Sequence, residues 1–161
     1  MDTRSPEERS RIMAAVHSKN TTTELVVRRF LWAHGIRYRI HPAYLPGRPD
    51  IAITRCKLAI FIHGCLWHGH DGCPRGRIPK SRVKYWKAKI KANRIRDRLI
   101  AERLEAEGWR QLVVWGCQLR TQKAASLTLP KILDSIVTTC ADVVQNDRRR
   151  TRSPRRSRRS P

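Results

Sequence analysis

Pro49-Asp50-Ile51-Ala52-Ile53-Thr54-Arg55-Cys56-Lys57-Leu58-Ala59-Ile60-Phe61-Ile62-His63 holds two short apolar runs separated by Arg55 and Cys56. The runs are of strand length and rich in β-branched residues. The second is apolar at nearly every position, as a strand buried on both faces must be. The spacing predicts two adjacent central strands joined at Arg55 and Cys56. Upstream, Leu45-Pro46-Gly47-Arg48-Pro49 reads as a rigid turn that ends an extended stretch from Tyr38. Thr21 with Glu24 three residues later is a capping-box start, and Gly35 a stop, for a helix of about three to four turns. Downstream of a Gly- and Pro-rich loop over 69–80, Ser81 opens a long helix through Glu107. Residues 109–115 read as a third core strand and 130–144 as a last helix. Alternating helices and apolar strands give an α/β class, a central sheet flanked by helices.

The chain has 161 residues, 40% of them hydrophobic, enough for one core of ordinary size. A single domain over 1–145 is expected, with a helical N-terminal arm over about 1–20 that starts at Ser5-Pro6-Glu7-Glu8. Residues 146–161 form an Arg/Ser/Pro-rich basic tail with nothing to bury, expected to be disordered. No apolar run nears the ~20 residues that span a bilayer, so a soluble cytoplasmic protein with no membrane partner is expected.

Formal net charge is +22, and eight of those charges are the arginines of 148–161, which leaves +14 on the remainder. A field of that sign gathers polyanions, and neutralising phosphates gains affinity by counterion release. Charge of this kind points to nucleic acid without naming a reaction.

The five cysteines are Cys56, Cys65, Cys73, Cys117 and Cys140. An odd number in a chain without a signal peptide speaks against a disulfide framework. Cys65-x4-His70-x2-Cys73 is a compact ligand triplet, and Cys117, directly after the third strand, supplies a fourth donor. Thiolate and imidazole suit a closed tetrahedral Zn²⁺ site, structural because four protein ligands leave no open position. Cys56 and Cys140 are left as core residues.

A second group forms around Asp50. Pro49 fixes the chain direction and delivers the carboxylate to the sheet edge, while His63 ends the neighbouring strand and His68 follows it. Phosphodiester hydrolysis needs a cation, an activated water and a proton for the leaving oxygen. One carboxylate plus a backbone carbonyl is enough for Mg²⁺, and imidazoles can orient or deprotonate its waters.

Leu45-Pro46-Gly47-Arg48-Pro49-Asp50, Ile60-Phe61-Ile62-His63-Gly64-Cys65-Leu66-Trp67-His68, His70, Cys73, Trp86, Asn93, Arg96-Asp97, Gly108-Trp109 and Val114-Trp115-Gly116-Cys117 stand in the order and spacing of the very short patch repair DNA mismatch endonucleases. From about residue 5 to residue 119 the chain resembles that family. The resemblance implies a restriction-endonuclease-like core with a mixed sheet, and nicking of double-stranded DNA 5′ of the T in a T·G mismatch left by deamination of 5-methylcytosine. It implies Asp50 and the Ile62 carbonyl as magnesium ligands, and His63 and His68 as the histidines that handle water there. It also implies zinc on Cys65, His70, Cys73 and Cys117, with Glu24 and Asp97 supporting the active centre. The same kinship makes the protein a bacterial, nucleoid-associated monomer with mismatch-repair proteins as conceivable partners.

Detecting a wobble pair favours apolar wedges that pry base steps apart. Trp67 and Trp86 are the wedge candidates. Leu66 stands where the family usually carries an aromatic wedge, and Met13 resembles a wedge entering from the opposite groove. Lys89, Asn93 and Asp97 lie at i, i+4 and i+8 on the long helix, a stripe able to contact phosphates and base edges. Gly116 departs from the acid often found there in the family. Two rival readings stay open: a catalytically silent zinc-stabilised DNA-binding module, and a sequence-specific restriction nuclease on the same core.

Overall fold

The computed structural model describes residues 20–152. The N-terminal arm, with Met13, and residues 153–161 of the tail lie outside the described residues. The described elements are α1 (Thr22–Ala33), β1 (Ile51–Ile53), β2 (Leu58–His63), the one-turn α2 (Cys65–His68), α3 (Val83–Ala106), β3 (Arg110–Trp115) and α4 (Gln122–Arg152), with 3₁₀ turns at Thr54–Cys56, Pro74–Gly76 and Gly116–Leu119. No helix among them is long and apolar enough to cross a membrane.

The sheet is mixed, in the order β1-β2-β3. β1 pairs antiparallel with β2, Ile51 opposite Ile60, and β2 runs parallel to β3, with His63 opposite Trp115. Only β2 is central among these strands, which corrects the expectation of two central strands. Among the described residues, β1 is met on its outer side by a bridge between Ala52 and Arg39. β3 is likewise an edge, with one fully buried residue, Val114.

The period of two sorts the strands onto two cores. Ile51, Ile53, Leu58 and Ile60 face α1 and α4 and pack with Val27, Leu31, Ile132 and Ile136. Ala52, Ala59 and Phe61 face the other way, onto Leu45 and Leu104, with Ile100 of α3 against them. Burying a side chain such as Leu104 stabilises by roughly 1.5–3 kcal/mol. The same period places Asp50 with Ala52, and His63 with Phe61, on the α3 side of the sheet.

The Thr21–Glu24 capping box is present: Thr21 Oγ1 accepts the Glu24 amide N–H at 3.3 Å, and Glu24 Oε1 accepts that of Thr21 at 3.3 Å. At α3 the expectation is corrected, because the residue before the helix is Arg82, in a left-handed conformation, and Ser81 does not cap. α4 is also corrected. It starts at Gln122, where Thr121 Oγ1 accepts the Ala124 amide, and Pro130 lies inside it rather than at its first position. An internal proline forfeits one helical hydrogen bond, and burial of Ile132 and Ile136 against the sheet offsets that loss. The helix continues through Arg152, into the stretch whose composition predicts disorder.

α4 also brings Cys140 back over the turn after β1, where it forms a disulfide with Cys56. Their Cα atoms are 4.6 Å apart across a sequence separation of 84. Both lie in or against the core, as expected, but the expectation against a disulfide is corrected: spacing along the chain carries no trace of a pairing made by a returning helix.

Candidate active site and metal centre

β2 and β3 are parallel and end level with each other, so the segments leaving both strands meet at one end of the sheet. Here Asp50, Ile62, His63, His68, Glu24, Lys89 and Arg96 line one cavity of about 540 Å³. Asp50 Oδ2 accepts the Ile62 amide N–H at 2.6 Å, which fixes the carboxylate against the central strand. Burial lifts the Asp50 pKa above the usual carboxylate value, and Glu24 adds to the lift. The Ile62 N–H, His41 and Arg28 oppose it. A cation at Asp50 would relieve that penalty, and the oxygen donors present suit a hard divalent ion.

His63 is nearly buried at the end of β2. Its ring lies parallel to that of His68, centroids 3.8 Å apart. Burial and the neighbouring His68 push the His63 pKa down to about 4; Arg96 adds to the fall and Asp97 opposes it. His63 is therefore neutral at neutral pH. His68 Nδ1 lies 2.5 Å from Asp97 Oδ2, so the carboxylate receives the Nδ1 proton and Nε2 is the free ring nitrogen. Asp97 thus stands directly behind one of the expected catalytic histidines.

The stripe on α3 divides by role. Lys89 is exposed and opens on the cavity. Asn93 is buried, and its amide nitrogen donates to the Trp67 carbonyl at 2.7 Å, holding the turn that carries Trp67 and His68. Gly69 ends that turn at φ 63°, so close to α3 that a Cβ there would sit 2.6 Å from Ile90 Cγ2. Only glycine meets both conditions. Trp67 and Trp86 are half-buried and touch edge to face, ring centroids 5.4 Å apart, with the exposed Tyr85 edge-on to Trp86 at 5.4 Å. Leu66, Trp67 and Gly116 also line a neighbouring cavity of about 580 Å³.

Behind this wall, Cys65, His70, Cys73 and Cys117 bring four donor atoms within 4.8 Å of one another, a set able to hold a metal ion. Cys117 Sγ lies 3.4 Å from His70 Nδ1. Burial, together with the Cys65 and Cys73 thiols, pushes the Cys117 pKa up to about 12. At Cys73 burial also opposes ionisation, but the Arg75 and Gly76 amides and the Cys117 and Cys65 thiols outweigh it and lower the pKa. Three thiols and an imidazole so placed suit a thiophilic cation, which would hold the sulfurs as thiolates.

Two residues of the site, Arg28 and His41, were absent from the sequence expectations. Arg28 is buried and pairs with Glu24, Nη2 to Oε2 at 2.6 Å. Their i,i+4 spacing on α1 was the available signal. His41 reaches the same cluster from the loop before β1, with ligand atoms of Glu24, His41 and Asp50 within 4.8 Å of one another. Arg96, quoted in the motif without a role, lines the cavity. Nothing in the sequence around His41 marked it.

The family model for DNA mismatch endonuclease Vsr matches residues 1–74. The chain is 50% identical over 133 residues to the type II nicking enzyme V.XorIIP of Xanthomonas oryzae, covering 83% of this chain and 97% of the relative. It is 40% identical to the type II nicking enzyme V.NmeAIP of Neisseria meningitidis, over 80% of this chain and 91% of that one. To the DNA mismatch endonuclease Vsr of Escherichia coli it is 40% identical over 112 residues, 70% of this chain and 71% of that protein. Identity at this level, over nearly the whole of two relatives, shows the family: the chain belongs to the Vsr DNA mismatch endonucleases and is an endodeoxyribonuclease.

Proposed function

We propose that the protein nicks one strand of duplex DNA at a T·G mismatch, on the 5′ side of the T, with a divalent cation at Asp50. The observation that carries this reading is the convergence of Asp50, Ile62, His63 and His68 on one basic-rimmed cavity at the end of the sheet. Mg²⁺ held by the Asp50 carboxylate and the Ile62 carbonyl would offset charge on the phosphate and make a nearby water more acidic. The rest of the chemistry falls to the chain. Neutral His63 accepts a hydrogen bond and orients the attacking water. His68, held by Asp97 through Nδ1, presents Nε2 for proton transfer. Lys89 and Arg96 draw the scissile phosphate in. Zn²⁺ is assigned to the Cys65, His70, Cys73 and Cys117 set, whose two soft donors on α2 and its following loop and one after β3 tie the two strand ends together. Leu66, Trp67 and Trp86, with Met13 from the N-terminal arm, serve as wedges at the mismatch.

A second reading, nicking of fully paired DNA at a fixed sequence, draws support from the names of the Xanthomonas and Neisseria relatives. End-labelled duplexes that differ only in T·G versus C·G, across several contexts and with Mg²⁺, separate the two. A nick confined to the T strand of mismatched duplex is expected, and equal nicking of paired duplex selects the second reading. Asp50→Ala is expected to bind DNA and leave it uncut. Full activity in that variant removes the mechanism.

A further inference from the structure

His41 holds a left-handed backbone conformation, φ 44°, immediately before Pro42. Residues other than glycine avoid that region, and the following proline restricts the choice further. The conformation aims the ring between two groups. Nε2 lies 3.1 Å from Arg28 Nη2, and Nδ1 lies 3.8 Å from Asp50 Oδ1. The Arg28 side chain is itself fixed, donating to Asn20 Oδ1 at 2.7 Å and to Glu24 Oε2 at 2.6 Å.

A guanidinium only donates hydrogen bonds. Arg28 at 3.1 Å is nearer to Nε2 than is Glu24 Oε2 at 3.5 Å, so the neutral ring accepts at Nε2 and carries its proton on Nδ1, on the Asp50 side. The other Asp50 oxygen already takes the Ile62 N–H. One Asp50 oxygen is thus fixed by the backbone of β2, and the other faces, at 3.8 Å, the N–H edge of a ring that is itself anchored to α1.

We infer that His41 is a positioning residue for Asp50: it transmits the fixed geometry of the Glu24–Arg28 pair to the carboxylate without ligating the cation. The inference rests on the reading of Asp50 as the metal-binding carboxylate. Partners that orient a ligand in this way typically account for 10- to 100-fold in metal affinity. Glutamine reproduces the polarity of the ring, since its amide oxygen accepts from Arg28 and its amide nitrogen donates to Asp50.

The test is Mn²⁺ titration of the full-length, zinc-loaded protein, followed by electron paramagnetic resonance without DNA, with circular dichroism to establish folding. His41→Ala is expected to weaken Mn²⁺ binding about 10- to 100-fold, and His41→Gln to restore it. Should His41→Ala not fold, His41→Asn, too short to span from Arg28 to Asp50, replaces it with the same expectation. Wild-type affinity in the truncated variant overturns the inference. So does failure of glutamine to restore binding, or a nitrogen hyperfine coupling to Mn²⁺ that disappears with His41, because the ring would then be a ligand. Asp50→Ala is the control: loss of Mn²⁺ binding there keeps the two readings separable, and unchanged binding brings both down.

Discussion

Replacing Asp97 tests the histidine pair most directly. His68 Nδ1 and Asp97 Oδ2 are 2.5 Å apart, and their side chains are 17% and 20% exposed. A hydrogen bond to a charged group contributes about 1.5–3 kcal/mol, against roughly 0.5–1.5 for a neutral one. Arg96 Nη2, 3.9 Å from the other Asp97 oxygen and 59% exposed, adds little. Asp97→Asn keeps an acceptor for the Nδ1 proton and loses only the charge, about 1–1.5 kcal/mol, or about 5- to 12-fold in rate at 1.36 kcal/mol per decade. Asp97→Ala loses the whole contact and frees the ring, for about 10- to 150-fold. Single-turnover nicking of an end-labelled mismatched duplex reads the rate, and fluorescence anisotropy with Ca²⁺ reads DNA affinity separately. An alanine variant that folds and nicks within twofold of wild type refutes the reasoning. A loss confined to DNA affinity does so equally, since it would move Asp97 from the chemistry to the grip.

The remaining expectations concern pH and the two sulfur clusters. The His63 pKa falls from 6.5 unfolded to about 4 folded, so the unfolded chain binds the extra proton first as pH drops. The His63 contribution to the stability of metal-free protein is then full above pH 6.5 and is lost toward pH 4, and urea titrations of His63→Phe should show a flatter dependence in that window; an unchanged slope contradicts the assignment. Cys117→Ser should lower bound zinc from about one equivalent to near none by metal analysis, with a large drop in thermal midpoint, because binding free energy at such sites is folding free energy. Full zinc content in that variant removes Cys117 from the set. Reducing the Cys56–Cys140 bond should destabilise by about 2–4 kcal/mol in equilibrium denaturation, and Cys56→Ser should abolish the sensitivity to reductant. Equal stability with and without dithiothreitol argues against the bond.

What could be read from the chain without coordinates was what local rules govern. Asp50 and His63 fall on one face because strands have a period of two, and the Thr21–Glu24 start rests on backbone groups only three residues apart. Cys65, His70 and Cys73 are close in sequence, so their convergence needed little folding to foresee. The misses arise where distant segments decide. Cys140 finds Cys56 only because α4 returns over the sheet, and His41 finds Asp50 only because an unfavourable loop conformation is held by Arg28. Ser81 looked like a cap, but the turn before α3 is set by Arg82 in a left-handed conformation, which no propensity favours. Asn93 sat on an exposed-looking stripe, yet its amide props up the Trp67 turn.

Trp115 has the His70 ring lying flat on it, centroids 4.1 Å apart at 1°, and the edge of His63 against it at 5.6 Å and 77°. That indole is a party wall between the thiol cluster and the Asp50 side of the sheet end. With the ion proposed for it removed, the cluster would loosen its hold on His70 and, through the indole, on the His63 ring. On the proposed assignment, loss of the softer ion would therefore reach the Asp50 side of that wall as well as the stability of the fold.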